Sequence, residues 1–157
     1  MTKEIRFRGM SEGKWYYGLL TFMFGGYAIV DPKDENTIQL VEEETIGQHI
    51  GRSTEGSDYI FEKDIASVII QGHVFGYYQE TEYIGIVKYD EKECVYYLNL
   101  LKKPIQTGET IPDEIDGIPI TLESDEETNR FYFSEYIDEA DINILGNVYE
   151  NKELLNE

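Results

Sequence analysis

Side chains able to do chemistry are sparse in this 157-residue chain. His49 and His73 are its two imidazoles, and neither stands in a spaced histidine and carboxylate motif. A zinc site would need ligands gathered from distant loops. Cys94 is the single cysteine, so an internal disulfide and a four-cysteine metal site are excluded. Its flanks, Glu93 and Val95, bring no cation that would favour a thiolate, and Cys94 is expected as a small packing residue opening a strand. There is no Gly-x-Ser-x-Gly elbow, and neither Gly25-Gly26 nor the Gly47/Gly51 pair leads into a helix or a Lys-Ser/Thr pair, which removes the serine-hydrolase and phosphate-loop readings. Asp125-x-Glu127-x-Asn129 starts like a calcium loop but lacks the following glycine and the distal glutamate. Carboxylates are so numerous that some pair is close in any fold, so an acid and base pair carries no information. The chain is therefore read as non-enzymatic, with no metal and no cofactor.

Aromatic residues say more. The chain has 13 tyrosines and one tryptophan, with doublets at Tyr16-Tyr17, Tyr77-Tyr78 and Tyr96-Tyr97. Neighbours on a strand point to opposite faces, so each doublet sends one ring outward unless both faces are covered. Tyrosine and tryptophan offer rigid contact area with a hydrogen-bonding tip, which suits an interface or a ligand surface. Trp15, Tyr17, Tyr77 and Tyr78 are the candidates for such contacts.

Charge is the other extreme: 32 acidic and 13 basic residues give a net charge of -19. The last third, 105–157, holds 15 acidic and two basic residues and carries about two thirds of the excess. That field repels phosphate backbones and attracts basic partners, so no direct nucleic-acid binding is expected and a basic host protein is a candidate partner. The acidic recognition candidates are Asp113, Glu114, Asp116, Glu123, Asp125, Glu126, Glu127, Glu135, Asp138 and Glu139. Apolar runs are broken within a few positions, so no membrane span is expected. The start MTKEIRFRGM shows no apolar leader, and a cytoplasmic location is expected.

Period-2 alternation dominates the elements that must position these residues. Ile5 and Phe7 alternate with Arg6 and Arg8, and SEGKW turns into an aromatic-rich run from Trp15 to Phe24. A turn at Asp31–Asn36 separates the runs Tyr27–Val30 and Thr37–Val41, and Gly47, Gly51 and Gly56 suit tight corners. Val68–Gln71 and His73–Tyr78 read as strands parted by Gly72. Tyr83–Tyr89 and Cys94–Leu101 form the clearest hairpin, around a loop of Asp90, Glu91, Lys92 and Glu93. Short helical turns are expected after Ser134, over Glu135–Ala140, and after Asn151. The composition implies one domain: N-terminal strands over 1–58, a barrel-like part over 59–149 with an acidic inserted lobe at 102–130, and a terminal turn over 150–157. The fold class is mainly β, with a small, strongly bent SH3-like barrel in the second part.

IRFRGMSEGKWYYGLL, VEEETIGQHIGRSTEGSDYIFEKDI, GIVKYDE and ILGNVYENKELL follow one another along the chain. In that order they resemble the YopX family of phages and prophages of Gram-positive bacteria. The resemblance implies a mainly β protein of phage origin and homo-oligomeric assembly, and no catalytic residues. The chain departs from the family pattern at His49, where an aromatic is usual, at the turn Arg52-Ser53-Thr54, and at Lys63, where a glycine usually precedes Asp64. The last change puts a left-handed turn geometry in question. The function expected is that of a self-associating accessory protein that binds and modulates a host factor, with acidic nucleic-acid mimicry as its sharpest form. The alternatives are a small-ligand or nucleotide-sequestering protein, in which an anionic ligand is opposed by the net charge unless Arg6, Arg8 and Arg52 converge, and an enzyme of unrecognised type.

Overall fold

The computed structural model describes residues 5–56, 58–121, 129–133 and 140–156. Fourteen strands build a mainly β fold. β1 (Phe7–Ser11), β2 (Lys14–Met23), β3 (Gly26–Asp31), β4 (Asp34–Leu40), β5 (Gly47–Ser53) and β6 (Tyr59–Phe61) form a first sheet in the order β4-β3-β2-β1-β5-β6. β7 (Asp64–Val74), β8 (Tyr77–Asp90), β9 (Val95–Leu100), β13 (Arg130–Tyr132) and β14 (Ala140–Asn147) form a second, in the order β13-β9-β8-β7-β14. β10 (Ile105–Gly108) pairs with the early half of β8, and among the described residues β11 (Glu114–Ile115) pairs only with β12 (Ile118–Pro119).

Four of the hairpins turn on the same device. Glu12-Gly13, Phe24-Gly25, Phe75-Gly76 and Asp116-Gly117 are two-residue loops with positive φ at both positions. Such loops match the right-handed twist of the strands they join, and glycine at the second position removes the steric cost there. Phe75-Gly76 is where the long excursion of β7 reverses. Gly72 lies inside β7, so the break expected there is displaced to Phe75, and Tyr77-Tyr78 opens β8 instead of closing a strand. The β8–β9 loop comprises Glu91–Cys94, with Asp90 accepting from the N–H groups of Lys92 and Glu93. Cys94 is exposed at positive φ in that loop, which corrects its expected place as a packing residue at a strand start.

The core forms where the β5–β6 end of the first sheet lies on the second. Ile50 and Ile60 join Ala66, Val68, Val87, Leu98, Phe131, Phe133 and Ile142. Each fully buried aliphatic there contributes about 1.5–3 kcal/mol. β2, β3 and β4 reach beyond this contact and leave Leu19, Phe22 and Leu40 exposed.

Two expectations change. Among the described residues, no pairing joins the end strands β13 and β14, so the second sheet is open where a closed SH3-like barrel was expected. β6 belongs to the first sheet, which moves the division between the two parts from Tyr59 to the link Glu62-Lys63. Of the helical turns expected near the C-terminus, that over Glu135–Ala140 lies outside the described residues except for Ala140, which opens β14, and the one after Asn151 is a three-ten turn, Lys152–Asn156. The proposed lobe at 102–130 carries β10, β11 and β12 within its described part.

Lys63 keeps the left-handed geometry that its side chain disfavours, at φ +71°. Its backbone bonds Val87 and Val148, and its Nζ donates to the carbonyls of Glu44, at 2.6 Å, and Ile46, at 3.1 Å. The ammonium thus ties the β6–β7 link to the segment before β5. Lys63→Gly and Lys63→Ala both lose these side-chain bonds, but only glycine relieves the backbone. Lys63→Gly is therefore expected to unfold in urea with a free energy about 1 kcal/mol above that of Lys63→Ala. Equal values would show that the link relaxes out of this geometry.

Candidate functional site

Arg8 lies on β1 and is only 6% exposed, against the alternation that would put Arg6 and Arg8 outward and Ile5 inward. Ile5 is the exposed one. The Arg8 guanidinium reaches the first residue of the second sheet: its Nη2 lies 2.8 Å from Asp64 Oδ1 and donates to the Glu62 carbonyl at 3.2 Å. Asp64, 2% exposed, also accepts from the Phe61 N–H at 2.9 Å. Rings complete the enclosure, with Arg8 Cζ 4.5 Å from the Trp15 ring centre and 5.0 Å from that of Phe61. These are distances at which a guanidinium is held by the negative faces of the rings.

Trp15 is fixed from the second sheet. Its Nε1–H donates to Glu150 Oε1 at 3.0 Å, and its ring meets Tyr149 edge-on. Glu150 is placed by Asn147, which caps the turn after β14: its Oδ1 accepts from the N–H groups of Tyr149 and Glu150, and its Nδ2 donates to Glu150 Oε2. Asn151 closes the turn, its Oδ1 accepting from the Asn147 N–H. A Cβ at Gly146 would overlap the Asn151 carboxamide, so the Gly-Asn-x-x-Glu-Asn run is needed residue by residue to aim one carboxylate at one indole.

These groups border a cleft of about 690 Å³, lined by Tyr17, Tyr59 and Phe61 of the first sheet and by Ile144, Asn147 and Glu150 of β14 and the turn after it. Arg6 lies over the Tyr59 ring at 4.9 Å. Tyr17 packs against Phe61 and is 51% exposed, the most open ring of the cleft wall after the others are bonded or covered. Desolvation pushes its hydroxyl above the usual tyrosine range, with Arg8 pulling in the opposite direction. The lining charges are Arg6 and Arg8 against Asp58, Asp64 and Glu150. The volume falls in the range of small-molecule sites, and the wall combines rings with a few polar groups.

His49 backs this wall. It is buried, with its Nε2–H assigned as donor to the Arg52 carbonyl at 3.0 Å because a carbonyl can only accept. The ring packs against Tyr59 and Phe61, and Nδ1 has no partner among the described residues. An aromatic at this position would fill the same space.

Of the four aromatic candidates, the fold brings Trp15 and Tyr17 together in the cleft. Tyr77 and Tyr78 do not line it; they open β8, where the Tyr78 hydroxyl donates to Glu80 and its N–H to Glu109. Among the acidic candidates, Asp113, Glu114 and Asp116 are exposed on or beside the β11–β12 hairpin. Glu123, Asp125, Glu126, Glu127, Glu135, Asp138 and Glu139 lie outside the described residues. Arg6 and Arg8 converge in the cleft, whereas Arg52 lines a separate one with Glu62 and Tyr96. Among the described residues, no group of three metal-ligating side chains occurs, and no helix is long and apolar enough to cross a membrane. Asp64, Asn147 and Glu150 were absent from the candidates, although the quoted blocks containing Arg8, Trp15, Asp64 and Gly146–Asn151 held the signal. Comparisons with protein families, with curated proteins and with solved structures find no match to this chain.

The buried pair sets two expectations. Removing Arg8 leaves the Asp64 carboxylate without its cation, so Arg8→Met is expected to cost roughly 3–5 kcal/mol by chemical denaturation. The pH dependence follows from burial, which raises Asp64 above its ordinary 3.8 and Glu62 above its ordinary 4.5. In the window above those values the folded chain binds more protons than the unfolded chain, so stability falls as pH rises through it. Asp34 and Asp90, held low by hydrogen bonds, act only below 3.8. The urea midpoint is thus expected to be higher at pH 5 than at pH 7.5, with Glu62→Gln narrowing the gap; a midpoint that rises with pH over this interval contradicts it.

Proposed function

We propose that this chain is a binding protein without bond-making chemistry of its own, and that the cleft between its sheets takes a small planar ligand. The observation that carries this reading is the half-open Tyr17 ring beside Trp15, in a cleft whose polar members are already oriented by one another. A planar heterocycle stacks on such a ring whatever its hydrogen-bonding pattern, at about 1–3 kcal/mol per stacked ring. Arg6 and Arg8 both line the cleft, each with its guanidinium over a ring of the same wall, Arg6 on Tyr59 and Arg8 on Trp15 and Phe61. The charge of the Arg8 guanidinium is compensated by Asp64, and two acidic groups remain in the lining beside Arg6, so an uncharged ligand is favoured over an anionic one.

Trp15 is the sole tryptophan, so its emission reports the cleft directly. Titration with nucleobases, nucleosides and free aromatic amino acids is expected to quench or shift that emission saturably for at least one class. Tyr17→Ala should weaken that ligand about tenfold or more with little change in thermal midpoint. A panel that leaves both the emission and the melting curve unmoved would remove the small-ligand reading.

A second reading is favoured by a different element. The β11–β12 hairpin pairs with neither sheet and presents Asp113, Glu114 and Asp116 to solvent, a small acidic projection on a chain of net charge -19. The YopX resemblance supports a phage accessory protein acting in the host cytoplasm, and such a projection suits a basic host protein. Replacing the three carboxylates together by their amides is then expected to lower capture of that partner and to flatten its salt dependence. Unchanged capture at every salt concentration counts against the hairpin as the docking element.

A further inference from the structure

Phe24 is the most exposed of the large hydrophobic side chains, at 82%. It occupies the first position of the β2–β3 loop at φ +55°, a left-handed conformation that a bulky side chain adopts only at a cost. None of the described residues offsets that cost by covering the ring. Behind it, Phe22 is 65% exposed and meets Tyr27 edge-on at 5.2 Å, which stiffens the hairpin up to its tip. The sequence from Trp15 to Val30 carries no charge at all, on a protein of net charge -19. The β2–β3 hairpin is therefore a rigid, uncharged projection ending in an exposed ring.

The second sheet holds a matching receptacle. Ile65, Ile84, Leu101, Leu145 and Leu154 line a pocket of about 190 Å³, with Lys102 as its one charged member. An aliphatic cavity of about 150 Å³ suffices to admit a benzene ring, so this pocket has room for one phenyl group. Two copies of a strongly acidic chain repel one another over most of their surfaces, and these two elements are where that repulsion is least.

We propose that the occupant of the pocket is the Phe24 tip of a second copy of this chain. The contact uses different surfaces on the two partners, so it is heterologous and propagates head to tail. It is independent of what the inter-sheet cleft binds. Because the contact is apolar and the background repulsive, association strengthens with added salt, the opposite of an interface held by charge.

The test is the mass of the intact chain by sedimentation and light scattering over a concentration series, at low salt and at about 0.5 M salt, where exposed charges are strongly screened. The wild type is expected to grow beyond the monomer with concentration, and more so at high salt. Phe24→Ala and Leu145→Gln are each expected to remain monomeric, while Phe75→Ala, at the other exposed phenylalanine tip, assembles as the wild type does. Mixing Phe24→Ala with Leu145→Gln leaves one intact tip and one intact pocket, so the mixture is expected to double in mass and stop there. Leu154→Gln serves in place of Leu145→Gln if the latter loses its β-type circular dichroism. A wild type that stays monomeric throughout overturns the proposal, as does association of either single variant at the wild-type level or a mixture that remains monomeric. Association of the pocket variant alone would mean that two tips pack against each other.

Discussion

One buried ion pair joins the two sheets, and much of the local geometry around it exists to make that pair tolerable. Arg8 and Asp64 come from strands 56 positions apart, β1 and β7. Taking both charges out of water is costly, and the mutual attraction repays it only when the remaining donors and acceptors are also met. The Phe61 N–H, the Glu62 carbonyl and the faces of Trp15 and Phe61 meet most of them, and the buried Arg8 Nε–H is left without a partner among the described residues. Phe61, Glu62 and Asp64 can converge on one guanidinium only if the chain reverses within the two residues between β6 and β7. Lys63 makes that reversal in a conformation that glycine would adopt freely, and its own ammonium is recruited to hold it there. The ion pair and the left-handed lysine are parts of one arrangement.

The alternation of apolar and polar residues made the strand-rich fold legible, since a period of two has no helical counterpart. Trp15 and Tyr17 were legible as exposed or half-exposed rings for the same reason. The arrangement of the strands was not, because alternation assigns two faces without saying which is buried. At β1 it misleads: Ile5 is outside and Arg8 inside, since a carboxylate from another sheet makes burial of the cation the better arrangement. Gly72 was read as a breaker although β7 passes through it, because the stronger signal lay three residues on, where Phe75-Gly76 supplies two successive positive φ values. A phenylalanine at such a position hides the turn from a reading based on Asn, Asp and Gly. Cys94 was misplaced by one residue of loop, enough to move it from the sheet to solvent. The SH3-like closure failed at a longer range still, because whether the end strands of a sheet meet depends on accumulated twist and not on any local run.

The segments Arg6–Gly9, Trp15–Gly18, Tyr59–Asp64 and Gly146–Asn151 are scattered over the whole chain, yet each contributes to the walls of one cleft. A purely structural account covers part of this. Asn147 and Gly146 shape a turn, and Asp64 neutralises Arg8. It does not cover Glu150, which is exposed on a turn and could be aimed anywhere, but is held by the Asn147 amide and spends one oxygen on the Trp15 indole. An indole N–H at a surface could be served by water at little cost, so fixing it with a positioned carboxylate restricts the ring more than stability requires.

Orientation of that kind bears on whether the cleft stays open. The rings of the first sheet, Trp15, Tyr17, Tyr59 and Phe61, and Ile144 of the second would be drawn together if nothing polar separated them, since closing the gap removes apolar area from water. Here two guanidiniums lie against the rings, and the carboxylates of Asp64 and Glu150 hold Arg8 and Trp15 from the opposite sheet. Collapse would strip these charges of partners or force them into a poorer geometry, at a cost larger than the area gained. The polar cluster therefore acts as a set of struts. It fixes the walls in advance, so that for the ligand proposed above little conformational entropy would remain to be lost on binding and a modest stacking energy would suffice for measurable affinity.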